Sequence, residues 1–245
     1  LKIHDISICK DKYMFSRFIQ ILRNNVIWKS IFRMGIPSTA SERLKIIMQN
    51  FFLHLHPTRI PAHSLRICYT FCLGGLSAFL FIVLTVTGLY LMFYYVPDTA
   101  RAYLDMKDLE FVVPFGKLMR AAHRWSAHLM VITVILHMTR VFFTGSYKPP
   151  REFNWVVGVT LLVTTLLLSF TGYLLPWDQL AFWAITVGTN MAAAVPLIGN
   201  SGPFHELIGA SVDNDIRFAL LGGTQIGQNA LIRFYVLHCV GLPLF

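Results

Sequence analysis

The 245-residue chain is 55% hydrophobic and 14% aromatic but only 13% charged, whereas a soluble domain carries about 25% charged residues. Residues 67–97 and 153–177 contain no Asp, Glu, Lys or Arg, and each run exceeds the roughly 20 residues that cross a bilayer as a helix. The composition excludes a freely soluble enzyme or binding module and predicts an integral membrane protein.

The net charge is +9, and most of it sits at the start. Residues 1–66 hold 11 Lys/Arg against 3 Asp/Glu, or +8. These basic residues interleave with Phe, Ile, Leu and Trp, the pattern of a segment lying on anionic lipid. "YMFSRFIQILRNNVIWKSIFRMG" (13–35) and "SERLKIIMQNFFLHL" (41–55) fit amphipathic surface helices, the second opening on a Ser41 cap. Residues 1–65 are therefore expected to form a basic membrane-surface segment on the cytoplasmic side. No nucleic-acid partner is needed to explain the charge. Leu1 in place of a methionine, and an end inside the apolar "RFYVLHCVGLPLF" (233–245), are expected of part of a longer chain. The four cysteines (9, 68, 72, 239) form no CxxC or CxxCH motif, so neither zinc nor ordinary c-type haem attachment is signalled.

Residues 66–245 read as an all-α transmembrane bundle of four helices. The first spans about 66–96, the second about 116–143 and the third about 153–173. The fourth begins near Asn229 and is cut short. Pro149 and Pro150 forbid continuous helix between the second and third. Further amphipathic helices are expected in the long 174–228 connection. That connection and residues 97–115 are acidic on balance, while the N-terminal arm and the turn with Lys148 and Arg151 are basic. The positive-inside rule puts the arm and short turn on the cytoplasmic side and the two longer loops opposite.

The second helix carries His123 and His137, fourteen residues and hence about 21 Å apart on one face. Ionisable groups at such depth are costly and mark function, and imidazole is a common haem iron ligand. Gly74 and Gly88 repeat the interval on the first helix, Gly158 and Gly172 on the third; each glycine lets a flat group approach the backbone. His238, near the start of the fourth helix, is positioned to oppose His123. The partner of His137 is expected about fourteen residues beyond His238, past Phe245. Buried histidines also serve as core residues, and glycines also pack membrane helices, but three matched intervals favour two stacked haems. Arg120 and Arg140 lie one turn from their histidines and suit haem propionates, with Arg124 a third candidate. His128 is off the ligand face, and His54, His56, His63 and His205 flank helices or sit in loops.

"RAAHRWSAH" (120–128), "LHMTRVFFTGSYKPPREFNWVVGV" (136–159), "SFTGYLLPWDQLAFWA" (169–184) and "LIRFYVLHCVGLPLF" (231–245) together resemble the cytochrome b family of quinol:cytochrome c reductases over about residues 50–245. The likeness is strongest to the split-type subunit of plastoquinol- and menaquinol-oxidising complexes. It implies a lower-potential haem b held by His123 and His238 and a second held by His137, with electrons crossing the membrane from quinol and protons translocated. Pro176, Trp177, Asp178 and Gln179 would border the quinol oxidation site. A Rieske iron–sulfur protein, a c-type cytochrome, lipid and a homodimeric complex are the implied partners. The setting would be a bacterial inner membrane or an equivalent energy-transducing membrane. The family's "PEWY"-type element is absent here, so a further segment or subunit would supply the remaining quinol-site helices. Cys72 stands where the split-type subunits tether an additional haem by one thioether. Two other readings stay open at the level of residues: a dihaem b anchor of a hydrogenase or formate dehydrogenase, and a haem-free scaffold or transporter.

Overall fold

The computed structural model describes residues 67–149 and 151–244, together with Arg17, Gln20, Ile21, Asn24, Asn25, residues 39–42 and Ala62. The surface helices expected over 13–35 and 41–55 otherwise lie outside the described residues. At the start of the second of them the cap is Thr39, not Ser41. The Glu42 N–H donates to the Thr39 hydroxyl and the Thr39 N–H to the Glu42 carboxylate, both at 3.3 Å. That reciprocal pair is a capping box, which leaves Ser41 inside the first turn.

Every regular element among the described residues is helical. A single turn at Ile67–Thr70 precedes α1 (Leu73–Met92). The first helix is thus interrupted where continuous helix was expected. Phe71 and Cys72 take φ of +50° and +52°, and the Cys72 N–H turns to the Thr70 hydroxyl at 3.3 Å, a side-chain partner that competes with helical bonding. Then follow α2 (Ala102–Phe111), α3 (Gly116–Phe143), α4 (Glu152–Leu174), α5 (Gln179–Ala193), a 3₁₀ turn at His205–Ile208, α6 (Ile216–Leu221) and α7 (Gln228–Val236). A π-helical turn at Leu237–Gly241 continues α7, with Leu242–Leu244 beyond it. The chain divides into two compact units, Leu1–Leu73 with Leu136–Leu161, and Gly74–Ile135 with Leu162–Phe245.

Among the described residues, α1, α3 and α4 are long and apolar enough to cross a membrane; the expected fourth helix begins at Gln228 and does not reach that length by Leu244. Only 11%, 17% and 11% of their apolar windows are buried within the protein. Along α1, Phe79, Ile82 and Val86 are 59%, 60% and 61% exposed. Apolar surface on that scale requires a partner other than water, and helices whose backbone bonds are all internal can give it to lipid. The inward faces are different in kind: Thr87 on α1, Ser126 and Thr133 on α3, and Thr164, Thr165 and Thr171 on α4 are buried. Small hydroxyl side chains let membrane helices approach closely and bond across the gap, as Ser77 does to Thr133 at 3.1 Å.

In the larger unit the connection after α1 is tied down at several points. The Tyr95 hydroxyl donates to the Leu175 carbonyl at 2.7 Å. The Gln228 amide donates to the Pro97 carbonyl at 2.7 Å and accepts from the Thr99 N–H at 2.9 Å. Asp105, buried on α2, accepts from the Val96 N–H at 2.8 Å and pairs with Arg101 at 3.3 Å. Tyr95, Ala102 and Leu231 pack into one buried cluster, and burial pushes the Tyr95 phenol well above its ordinary range, keeping it a neutral donor. A second cluster of Leu174, Ile185, Leu221, Ala230 and Phe234 joins α4 through α7. In the smaller unit Phe142, Tyr147 and Trp155 bring their rings together at the turn, Phe142 and Tyr147 stacked at 5.6 Å.

Asp215 opens α6: its buried carboxylate accepts from the Phe218 N–H at 2.8 Å. Asp215→Ala removes that cap and is expected to cost about 1–2 kcal/mol, whereas Asp215→Asn keeps it and costs little. Thermal unfolding of the two variants should separate them in that order.

Candidate functional site

Two histidines meet in the larger unit, and their neighbourhoods are built alike. His123 on α3 and His238 in the π-helical turn have ring centroids 6.2 Å apart, with planes at 73°. The Thr87 hydroxyl donates to the Val83 carbonyl at 2.7 Å, so its oxygen receives the Nδ1–H of His123 at 2.9 Å. His238 Nδ1 lies 3.1 Å from the Leu168 carbonyl and 3.2 Å from the Thr171 hydroxyl. A carbonyl can only accept, so this ring also carries its hydrogen on Nδ1. Each histidine therefore keeps the lone pair of Nε2 for another partner. Among the described residues neither Nε2 forms a hydrogen bond.

The glycines belong to the same construction. A methyl group on Gly172 would fall 2.5 Å from His238 Cε1, and one on Gly88 would fall 3.3 Å from His123 Cε1. The sequence suggested that these glycines admit a flat cofactor; the structure sets an imidazole against each of these two. Thr87–Gly88 on α1 and Thr171–Gly172 on α4 are thus equivalent steps, each receiving one ring. The threonines were missed from the sequence, although a Thr-Gly pair recurring at both positions was a readable signal.

This arrangement fits a bis-histidine haem. A metal–imidazole nitrogen bond is about 2 Å and each nitrogen lies roughly 1 Å from its ring centre, which places two ligating rings about 6 Å apart. Ligating histidines also characteristically donate their other N–H to a carbonyl or hydroxyl that fixes the tautomer. No group of three His, Cys, Asp or Glu capable of holding a bare metal ion occurs among the described residues; two axial ligands are what a haem iron takes.

The remaining candidates are distributed as follows. Arg120 pairs with Glu110 at 2.9 Å, and Arg124 is exposed. His137, Arg140, Gly158 and Cys72 belong to the smaller unit. There the Nδ1 of His137 is buried without a hydrogen bond among the described residues, and Gly158 faces the sulfur of Met138, which a methyl group would approach to 3.1 Å. Cys72 is an exposed free thiol, and Gly74 lies in the first turn of α1. Trp177, Asp178 and Gln179 do converge, lining a pocket of about 440 Å³ with Tyr103 and Leu180; Pro176 directly precedes them. Trp177 takes φ of +51°, and Asp178 is the N-cap of α5, accepting from the Ala181 N–H at 2.8 Å. His128 stands exposed beside Trp125.

A family model described as cytochrome b/b6/petB matches residues 60–245. The chain is 42% identical over 189 residues to a cytochrome b6 of Heliobacterium mobile, covering 77% of this chain and 80% of that protein. It is 41% identical over 204 residues to a cytochrome b6 of Synechococcus sp. (strain RCC307), covering 83% and 84%. Among solved structures it is similar to a chain of a hyperthermophilic respiratory Complex III, with a TM-score of 0.63 and 28% identity. That match covers 71% of this chain and 44% of the other.

The contacts at the two glycines set an order of sensitivity. Gly172→Ala forces the His238 ring off its hydrogen bonds and is expected to cost about 1–3 kcal/mol, as overpacking does; Gly88→Ala costs less. The midpoint of thermal unfolding of the assembled protein should fall more for the first than for the second.

Proposed function

This chain belongs to the cytochrome b/b6 family, and we propose that it moves electrons from quinol through haem held between its helices. It is an integral membrane protein of an energy-transducing membrane, the cytochrome b subunit of a quinol-oxidising Rieske/cytochrome b complex. That membership sets aside the hydrogenase-type anchor and the haem-free scaffold.

The observation that carries the haem assignment is the His123–His238 pair, with both Nδ1 atoms engaged and a ring separation that suits one iron. These histidines would hold one haem b, and His137 would take one face of a second. When bound, such a group supplies reversible one-electron chemistry, accepting and passing electrons singly. The protein's own part is to orient the ligands, exclude water and carry charge-balancing groups. Arg124 and Arg140 would face haem propionates, as would Arg120, now paired to Glu110. On the acidic, non-cytoplasmic side, the pocket of Trp177, Asp178, Gln179 and Tyr103 would border the quinol oxidation site. Gln179 and the Tyr103 hydroxyl offer it polar groups, while Asp178 is engaged in capping α5. A Rieske protein and a c-type cytochrome would receive the other electron. The complex would be a homodimer, with a further segment or subunit completing the quinol site.

Replacing His123 with Ala is expected to abolish the haem shared with His238 and leave the His137 haem in place. Reduced-minus-oxidised spectra of the complex should lose about half the b-type absorbance; an unchanged spectrum would refute the ligand assignment.

Cys72, exposed where the split turn precedes α1, is proposed to tether an additional haem. A denaturing gel stained for haem should show colour migrating with this polypeptide, and Cys72→Ser should remove it.

A further inference from the structure

The fold uses one device twice, and the device touches the two histidines in different ways. On α1, Thr87 directs its own proton to the Val83 carbonyl and accepts from His123 at 2.9 Å. On α4, Thr171 directs its proton to the Leu167 carbonyl at 2.9 Å and stands 3.2 Å from His238, whose Nδ1 also has the Leu168 carbonyl at 3.1 Å. Both threonines are buried, at 5% and 4% exposure, so water does not compete for these bonds. Among the described residues of the smaller unit no such step meets His137: Val157 precedes Gly158, and the Nδ1 of His137 has no hydrogen bond.

We infer that Thr87 and Thr171 are positioning residues that fix the Nδ1–H tautomer of His123 and His238 and hold down the reduction potential of the haem these histidines ligate. The inference rests on the haem reading above. Its physical basis is the response of an imidazole to an acceptor at Nδ1. The acceptor draws the Nδ1 proton and makes Nε2 a more basic ligand, and a more basic ligand favours ferric over ferrous iron. The low-dielectric interior strengthens the effect. His137, with no acceptor at Nδ1 among the described residues, would leave its own iron easier to reduce. The difference between the two sites is then written in two hydroxyl groups and not only in their depth.

The test is a redox titration of the intact complex followed by absorbance and by low-temperature electron paramagnetic resonance. Thr87→Val keeps the side-chain volume and removes the acceptor. A neutral hydrogen bond is worth up to about 1.5 kcal/mol, so the ferrous-to-ferric ratio of the His123–His238 haem at fixed potential should rise by up to about tenfold, or 59 mV for a one-electron couple. Its g-values should move while those of the second haem stay put. Thr87→Ser, which keeps the hydroxyl, should restore the wild-type midpoint. Thr171→Val should shift the same haem in the same direction, and it carries the test if the Thr87→Val protein does not assemble. Unchanged midpoints and g-values in haem-loaded valine variants would overturn the inference and leave the haem reading intact. A wild-type complex without b-type absorbance would remove the haem reading itself, and this inference with it.

Discussion

An imidazole placed among membrane helices must give its N–H to something, and that requirement organises the larger unit. Water is not at hand, so the acceptors come from the neighbouring helices: the Thr87 hydroxyl on α1, and the Leu168 carbonyl and Thr171 hydroxyl on α4. Each bond dictates more than an orientation. A hydroxyl that accepts from histidine must itself donate elsewhere, and both threonines do so to carbonyls of the preceding turn of their own helix. Each ring also brings its Cε1 edge to where a side chain on the residue after the threonine would stand, and that residue is glycine in both cases. The polar centre is thereby closed on itself, with every hydrogen accounted for except at the two Nε2 positions that need none.

The rest of the unit keeps these helices at the separation the bonds demand. Large apolar side chains face outward to lipid and buried hydroxyls face inward, the reverse of the division in a soluble bundle. At the end of α1, Tyr95 and Gln228 tie the connection to the end of α4 and to the start of α7. The helix bearing His238 is thus held through side-chain amide and phenol bonds ten residues before its ligand. A polar latch suits this place: its partners are backbone groups of an extended stretch that would otherwise be unsatisfied.

Much of this was legible in the residues. Apolar patterning located three spanning helices, with α3 and α4 starting and ending within a residue or so of their expected bounds. The fourteen-residue intervals selected His123, Gly88 and Gly172, and the order of helices selected His238. What escaped was local and polar. Periodicity and hydropathy say nothing of a Thr70 hydroxyl that captures a backbone N–H and breaks a helix at Phe71–Cys72. Nor do they reveal α2, whose mixed composition is stabilised through Asp105 by partners outside itself. Within either helix alone nothing sets Thr87 or Thr171 apart, because a hydroxyl's partner is fixed only once the helices are side by side. Arg120 found Glu110, an acid supplied by that same unforeseen α2.

The π-helical turn at Leu237–Gly241 has a bearing on how this segment can be read at all. Pro243 has no N–H to return to the Cys239 carbonyl, and the Leu242 N–H bonds instead to Leu237, five residues back. A turn closed in this way holds one residue more than an α-turn. Every position beyond it is rotated out of phase with the face that α7 established. Heptad arithmetic, which suits the uninterrupted α-helix of α3, therefore slips on this segment. A side chain meant to share the azimuth of His238 further along would come one place later than an unbroken helix would set it.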